Sequence, residues 1–577
     1  MKENTITIEK SKTIRITGAD AVMRSLIGEG VDTIFGYPGG AIMPIYDALM
    51  DHTEKIRHIL TRHEQGAIHA AQGYARVSGK VGVVMATSGP GATNLITGIA
   101  DAMIDSTPLV CITGQVASPL LGTDAFQETD VIGISMPVTK WNYLITKSSE
   151  IPEIIAQAFY IARSGRPGPV LIDIAKNAQF GEFDFQYRKC IKVRSYVPKP
   201  KPDPAMIREA ADLINQARKP YIIFGQGIIL GEAEDEFRVF VEKSGIPAAW
   251  TILGVAALPK QHPLNVGMLG MHGNYSTNIK TNECDLLIAV GMRFDDRVTG
   301  DLKRYATQAK KIHLEIDPAE INKNIRADVA VLGDVKETLP MLTQLIEKRS
   351  HETWLKEFRD ADKIEYEKVI SKDLFPTKEG LTMGEVIHLL NIKTKGNAIV
   401  VTDVGQHQMV TSRYFNFTNK RSFVTSGGLG TMGFGLPAAH GAKIGAPDKE
   451  VILIVGDGGL QMTIQELGTI NQTQAAVKIV LMNNKYLGMV RQWQQLFFDR
   501  RYSETYLLNP DFIKVAEGFG IKGKKVLHRP ELDNALQEML DYRGPYFLEV
   551  NIEKEDNVFP MVPTGASVSE VILEPKK

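Results

Sequence analysis

The chain alternates short unbroken apolar runs with stretches of helical periodicity. Apolar runs fall at 33–36, 81–87, 109–113 and 170–174, then at 221–224, 286–290 and 311–316, and then at 398–402, 451–455, 477–482 and 546–550. They are continuous in Val, Ile and Leu rather than alternating, which predicts parallel strands buried on both faces. Helical stretches between them predict an α/β fold of doubly wound parallel sheets. Two breaks divide the series. Residues 197–204 read VPKPKPDP, with four prolines in eight residues, a stiff connector. Residues 347–380 are densely charged and read as a solvated crossing. Three domains are therefore expected, at 13–185, 200–345 and 380–560. Ligands in such sheets sit beyond the carboxyl ends of the strands.

Composition changes this picture little. A length of 577 residues accommodates three domains, and 44% hydrophobic with 23% charged residues is ordinary for a globular enzyme. A formal net charge of −1 gives no electrostatic reason to expect nucleic acid or an anionic membrane as partner. The three cysteines, Cys111, Cys190 and Cys284, are widely spaced, which argues against a disulfide framework and suits a reducing cytoplasm. The first residues carry Glu3 and Glu9 and no apolar core of signal length. No apolar run reaches the ~18 residues needed to span a bilayer.

The most informative chemistry lies at 451–484. Val451–Val455 is followed at once by Gly456-Asp457-Gly458-Gly459, and 477–482 by Asn483-Asn484. If the two strands are parallel neighbours, Asp457 and Asn484 share one sheet edge and their oxygens converge on one ion. Oxygen ligands with a single charge suit Mg²⁺ completed by phosphate oxygens. The flanking glycines let backbone approach a diphosphate, and a helix starting near Gln461 would offer its N-terminus. A GDG triplet alone is more often only a strand-to-helix turn; the paired spacing in matched strand contexts favours the metal. Three competitors are weaker. The GxGxxG in Gly427–Gly435 follows no convincing strand, TSGPGATN (87–94) lacks the lysine of a phosphate loop, and HEQGA (63–67) has Ala67 where a zinc-protease motif needs its second histidine.

GDG followed by NN resembles the thiamine-diphosphate-binding motif, and 62–94 resembles the pyrimidine-binding segment of the same superfamily. GQVASPLLGTDAFQE (114–128), SGRPGPVLIDI (164–174), GMHG (270–273), RFDDRVTG (293–300), DVGQHQM (403–409), SGGLGTMGFGLPAAHGA (426–442) and GMVRQWQ (488–494) narrow the resemblance. Together they are similar to the catalytic subunits of the acetohydroxyacid (acetolactate) synthase family, over residues 13 to 570. The family has pyrimidine-binding, central FAD-binding and diphosphate-binding domains, which is what the resemblance implies for the three parts.

Further implications follow from the resemblance, residue by residue. Glu64 would hydrogen-bond the aminopyrimidine and set its amino group to remove the C2 proton. Asp457, Asn484 and the main-chain oxygen of Tyr486 would hold Mg²⁺. Val404, Gly405, Gln406, His407, Gly458, Gly459, Leu487 and Gly488 would contact the phosphates. Met432 would wedge the cofactor into its bent form, with Gly430 offering its carbonyl to the amino group. Gly40, Phe126, Gln127 and Lys176 match positions near the reacting centre, and Met489 and Trp493 match the wall that selects the second ketoacid. Arg166, Gly225, Gly227, Thr251, Met271, His272, Arg293, Arg297, Glu315 and Asp334 would bind FAD in a non-redox, structural role.

The implied reaction decarboxylates pyruvate and condenses the hydroxyethyl carbanion with a second pyruvate or 2-ketobutyrate, the first common step of branched-chain amino-acid (valine, isoleucine) biosynthesis. A homodimer or homotetramer with active sites at the interface, a possible regulatory small subunit, and a cytoplasmic location also follow. A flavin-linked pyruvate oxidase or a 2-ketoacid decarboxylase is the same-superfamily alternative, and a non-catalytic flavin- or nucleotide-binding protein the alternative of another class. Ala117 stands where herbicide-sensitive plant members usually carry proline, which puts strong sulfonylurea inhibition in doubt and leaves catalysis untouched.

Overall fold

The computed structural model describes residues 14–575, so the expectations for the first residues, Glu3 and Glu9 included, and for a domain start at 13 lie outside the described residues. Three sheets of six strands organise the chain, and every pairing in them is parallel. The first runs in space Arg57–Leu60, Thr33–Gly36, Gly82–Ala86, Leu109–Gln115, Pro169–Ala175, Trp141–Ile145. The central sheet runs Asn265–Met268, Ala248–Trp250, Pro220–Phe224, Leu286–Val290, Lys310–Glu315, Val329–Leu332. The third runs Phe423–Val424, Ile399–Thr402, Val451–Gly456, Val477–Asn483, Tyr546–Asn551, Lys522–Val526. Counted within each sheet in chain order, the first and third share the order 2-1-3-4-6-5, and the central one is 3-2-1-4-5-6. A small antiparallel pair, Ile14–Thr17 with Glu182–Phe185, stands apart.

The unbroken apolar runs are the inner strands, because an inner strand of a doubly wound sheet has helices on both faces. Along Val451–Gly456, Ile452 and Ile454 enter one core cluster while Val451, Leu453 and Val455 enter another on the opposite face. Period-two alternation is present in space but hidden in sequence, since both faces are apolar. The strands that pattern reading does not find include all six edge strands. Lys522–Val526 reads KGKKV and is half exposed; with a neighbour on one side only, it needs no apolar run. Ala248–Trp250 and Asn265–Met268 are missed because they are short and rich in small or polar residues.

The chain divides into two compact units. One comprises residues up to Ala71, Val81–Arg163 and Pro167–Tyr196 and holds the first sheet; the other comprises Gln72–Lys80, Ser164–Arg166 and everything from Val197 on, with the central and third sheets. In the first unit, helices Gly18–Gly28 and Ile151–Arg163 cover one face through Val22, Leu26, Ile155 and Phe159.

The charged segment 347–380 is more than a solvated crossing. Helix Glu352–Glu365 buries Trp354, Phe358 and Glu365 against the central sheet, and the Trp354 indole N–H donates to Pro220 O at 2.9 Å. Its charges occupy the outer stripe of an amphipathic helix. Glu365, 1% exposed, pairs with Arg413, 2% exposed, near the end of helix Gln406–Tyr414. Glu365 also accepts from the Tyr275 amide and from Asn274 Nδ2, and Arg413 donates to His272 O. Removing one partner of a buried pair leaves the other charged and unpaired, which costs about 3–5 kcal/mol. Arg413→Met should lower the unfolding free energy from denaturant titration by that much, with Arg413→Met/Glu365→Leu recovering part of the loss; an Arg413→Met protein as stable as the parent contradicts the assignment.

Candidate functional site

Parallel register fixes the geometry at 451–484. Val451 through Gly456 pair in step with Val477 through Met482, so Asp457 and Asn483-Asn484 emerge together at one carboxyl edge. This is the edge where strand order reverses, between Ile399–Thr402 and Val451–Gly456, the place where ligands bind in open α/β sheets. The helix after the strand spans Asp457–Met462, with Gly456 as its cap, and thus begins four residues earlier than Gln461. Asp457 therefore sits in the first turn, where negative charge is favoured.

The other strand at this reversal point ends at Thr402 and supplies Asp403. Its buried carboxylate accepts from the amides of Val404 (2.8 Å), Gly433 (3.1 Å) and Gly435 (2.8 Å). Asp403 thus ties the 404–407 turn to the loop bearing Gly430 and Met432. Sequence reading missed it as a site residue because it looks like one more strand-end aspartate. Gln406 Nε2 donates to Gln492 Oε1, and His407, buried at the start of helix Gln406–Tyr414, leaves Nε2 without a partner. Burial also pushes the His407 imidazole down to about 4. On the other side, a side chain at Gly488 would begin 2.2 Å from Gln406 Oε1 and 2.8 Å from Asn484 Nδ2, so any larger residue would push these two groups out of their present positions. Leu487 and Met432 both face Gly458, and helix Gly488–Phe497 carries Met489 and the half-buried Trp493.

The charge balance here is uneven. Asp457 is 1% exposed, and burial raises its carboxyl to about 6 against opposing hydrogen bonds from Asn509 and from the backbone of Asp457, Lys485 and Gly458. Among the described residues no lysine, arginine or histidine pairs with it within 4.0 Å. A buried carboxylate without a cation is costly. Two side-chain oxygen groups leave the sheet at this edge: the Asp457 carboxylate and the Asn484 carboxamide, whose Oδ1 also accepts from the Tyr486 amide at 2.9 Å. Such a set fits Mg²⁺ carrying phosphate oxygens, and the unpaired buried Nε2 of His407 fits a phosphate partner beside it.

In the first unit the equivalent reversal lies between Thr33–Gly36 and Gly82–Ala86. Glu64, 9% exposed, opens helix Glu64–Ser78, and Asn94 Nδ2 donates to its Oε2 at 3.0 Å. Asn94 lies in the TSGPGATN turn, which lacks the lysine of a phosphate loop and closes the 62–94 segment that resembles the pyrimidine-binding one. Gly89 there has φ +54, and a Cβ would meet Gln127 O at 2.8 Å, so the absence of a side chain lets the Phe126-Gln127 segment lie against the turn. Gln127 itself holds φ +59, and Phe126 is 88% exposed. Gly40 is exposed and Lys176 half-buried at the end of strand Pro169–Ala175. That strand also carries Asp173, which accepts from Thr113 Oγ1 (2.7 Å) and Gln115 Nε2 (2.9 Å); Gln115 Nε2 also donates to Thr129 O and so fastens the far end of the Gln127 loop.

The central sheet has the strand order 3-2-1-4-5-6 of dinucleotide-binding domains. Gly225 and Gly227 follow Pro220–Phe224 and pack on Gly291 after Leu286–Val290, which is its reversal point. Met271 N donates to Arg297 O at 2.7 Å, bringing those two loops together, and His272, driven to about 4 by burial, contacts Pro560 O. Glu315 ends the next strand with its carboxyl raised to about 7 by burial, and Arg166 pairs with Glu320 beside it. Thr251 follows Ala248–Trp250, Arg293 lies beyond Leu286–Val290, and Asp334 caps helix Val335–Leu345 while bound to Lys199. These candidates thus collect along one sheet edge.

Three family models match the chain: the thiamine pyrophosphate enzyme N-terminal TPP binding domain over residues 16–134, the central domain over 207–342 and the C-terminal TPP binding domain over 403–550. Curated relatives match nearly end to end. The acetolactate synthase isozyme 2 large subunit of Escherichia coli is 47% identical over 558 residues, 96% of this chain and 99% of that one. The probable acetolactate synthase large subunit of Methanocaldococcus jannaschii is 46% identical over 97% of this chain and 96% of its own. The acetolactate synthase large subunit of Corynebacterium glutamicum is 46% identical over 96% and 90%.

Asp173 yields a pH test. Burial raises its carboxyl from 3.8 to about 6, with Asp130 adding to the rise against the bonds from Thr113 and Gln115. The protonated form is the one folding favours, so its contribution is complete below pH ~4 and is lost as pH rises through 6, by about 3 kcal/mol in all. Asp173→Asn should flatten that part of the stability profile, measured by denaturation between pH 4 and 7; an unchanged slope contradicts the placement.

Proposed function

The chain belongs to the thiamine pyrophosphate enzymes, among the acetolactate synthase large subunits, and from that membership we propose how its residues divide the work. It is a thiamine-diphosphate-dependent acetolactate synthase. Bound thiamine diphosphate supplies the nucleophilic carbon and electron sink for ketoacid decarboxylation and carbon–carbon bond formation. Asp457, Asn484 and the Tyr486 carbonyl hold Mg²⁺ against its diphosphate, and the single observation that carries this is the buried Asp457 carboxylate with no cationic partner. The 404–407 turn, Gly458, Gly459, Leu487 and Gly488 surround the phosphates. Met432, whose side chain faces Gly458, would pack its apolar end against the bound cofactor, and Gly430 would offer it a carbonyl. Glu64 would hold a proton toward the pyrimidine ring of the bound cofactor, its carboxylate steadied by Asn94 on Oε2.

The substrates are 2-ketoacids: pyruvate as donor and pyruvate or 2-ketobutyrate as acceptor. Gly40, Phe126, Gln127 and Lys176 border the reacting atoms, with Gln127 donating to a substrate oxygen. Met489 and Trp493 form an apolar wall whose fit to one extra methyl is worth ~1–3 kcal/mol. FAD takes the reversal point of the central sheet, held by Arg166, Gly225, Gly227, Thr251, Met271, His272, Arg293, Arg297, Glu315 and Asp334. Condensation needs no net redox change, so its role is structural. The exposure of Phe126 and Gly40 supports a second copy completing the site in a homodimer or tetramer, and a regulatory small subunit is a further expected partner. Three free cysteines, two of them buried, support a reducing cytoplasm. No helix among the described residues is long and apolar enough to cross a membrane.

Incubation with pyruvate, thiamine diphosphate, Mg²⁺ and FAD should yield acetolactate; acetaldehyde or oxygen uptake in its place would point to a decarboxylase or oxidase. Glu64→Gln should lower kcat by at least about 100-fold, the scale of lost proton transfer, while Mg²⁺ and cofactor still bind. Full turnover in that variant excludes the proton-holding role.

A further inference from the structure

We infer that Asn509 is the positioning residue of the metal ligand Asp457, an assignment that rests on the Mg²⁺ site proposed above. Its side-chain Nδ2 donates to Asp457 Oδ2 at 2.6 Å and to Asn483 Oδ1 at 3.0 Å, and its Oδ1 accepts from Gln461 Nε2 at 3.0 Å. Gln461 Nε2 reaches the main-chain oxygen of Asp457 as well, at 3.1 Å. Both amide hydrogens and the carbonyl of Asn509 are therefore spent on the two strand ends and on the helix between them. Asp457 Oδ2 is taken, and Oδ1 is the carboxylate oxygen no side chain holds.

Asn509 is 52 residues from Asp457 in sequence, and local pairing brings it there. Leu487 N donates to Thr505 O and Leu507 N to Lys485 O, both at 2.8 Å, so the segment before Asn509 runs antiparallel to the loop that carries Tyr486. Pro510 restricts Asn509 to extended backbone, and Asp511 then caps helix Phe512–Gly518. Arg491 stacks on Tyr486 and Tyr502, 4.6 and 3.8 Å from their ring centres, pinning both ends of the excursion. The layer continues outward: Asn483 Nδ2 donates to Glu549 Oε1 at 2.7 Å, and Lys525 pairs with that same oxygen at 2.9 Å. An outer layer of hydrogen bonds orients metal ligands, and its loss typically weakens metal binding 10–100-fold.

The test titrates Mg²⁺ into the full chain at saturating thiamine diphosphate by calorimetry, with kcat measured at saturating Mg²⁺. Asn509→Ala should weaken Mg²⁺ binding about 10–100-fold, with kcat at saturating Mg²⁺ within twofold of the parent. Mg²⁺ affinity within twofold of the parent overturns the inference, and so does a kcat that stays low at saturating Mg²⁺ with affinity unchanged. Gln461→Ala removes the brace on Asn509 together with the bond to the Asp457 main-chain oxygen while leaving the Asp457 side chain and Asn509 in place, and it should weaken Mg²⁺ binding at least threefold. Should Asn509→Ala fail to fold, that variant decides by the same criterion, with an unchanged affinity overturning the inference. No saturable Mg²⁺ binding by the parent protein overturns the metal site itself, and this assignment with it; normal parental binding with unaffected variants overturns the assignment alone.

Discussion

Everything at the site depends on the in-register parallel pairing of Val451–Gly456 with Val477–Asn483. Side chains alternate faces along a strand, so a shift of one residue would turn the apolar sets toward the wrong faces. Both faces of this strand pair are packed, which holds the register firmly and fixes where the two chains leave the sheet. The emerging groups are thus set by core packing rather than by attraction between themselves. That order of causes explains how a carboxylate comes to be buried with no cation paired to it among the described residues: the core holds Asp457 in place against its desolvation.

The same device appears three times. Each sheet reverses its strand order between two inner strands, and the candidate residues gather there: Glu64, Gly89 and Gln127 in the first unit, Gly225 and Gly227 in the central sheet, Asp403 and Asp457 in the third. The first and third sheets share one strand order, and these two are matched by the TPP binding models. The central sheet differs, with the order of dinucleotide folds. Around the reversal points, buried carboxylates with raised proton affinity recur: Asp403 and Asp457 near 6, Glu315 near 7. Asp403 spends its lone pairs on three backbone amides and so acts as a turn-former, while Asp457 takes its one side-chain hydrogen bond from Asn509.

The inner strands and the Asp457–Asn484 pairing were legible in sequence because both come from local pattern: unbroken apolar runs, each with polar residues immediately after it. Edge strands such as Lys522–Val526 escaped, since one-sided burial leaves little apolar signature. The buried side of helix Glu352–Glu365 escaped because its charges dominate composition while Trp354 and Phe358 do the packing. Asn94, Asp403 and Asn509 were invisible as site residues for a different reason. Each acts on a partner at least 30 positions away in the chain, and no spacing rule connects Asn509 to Asp457 before the sheet and the 485–507 pairing are known. Glu64 and the central-domain residues were named through family likeness, and the fold supplies what likeness cannot, the hydrogen-bond partners and burial of each.

The divalent cation proposed at the two parallel strand ends is open to direct observation. The most direct measurement is anomalous diffraction from crystals grown with thiamine diphosphate and Mn²⁺ in place of Mg²⁺. One strong anomalous peak per chain is expected, coordinated by an Asp457 carboxylate oxygen, Asn484 Oδ1 and the Tyr486 carbonyl at about the 2.1 Å of Mg²⁺–oxygen bonds. A peak elsewhere, or cofactor density at this sheet edge with no metal beside Asp457, would contradict it.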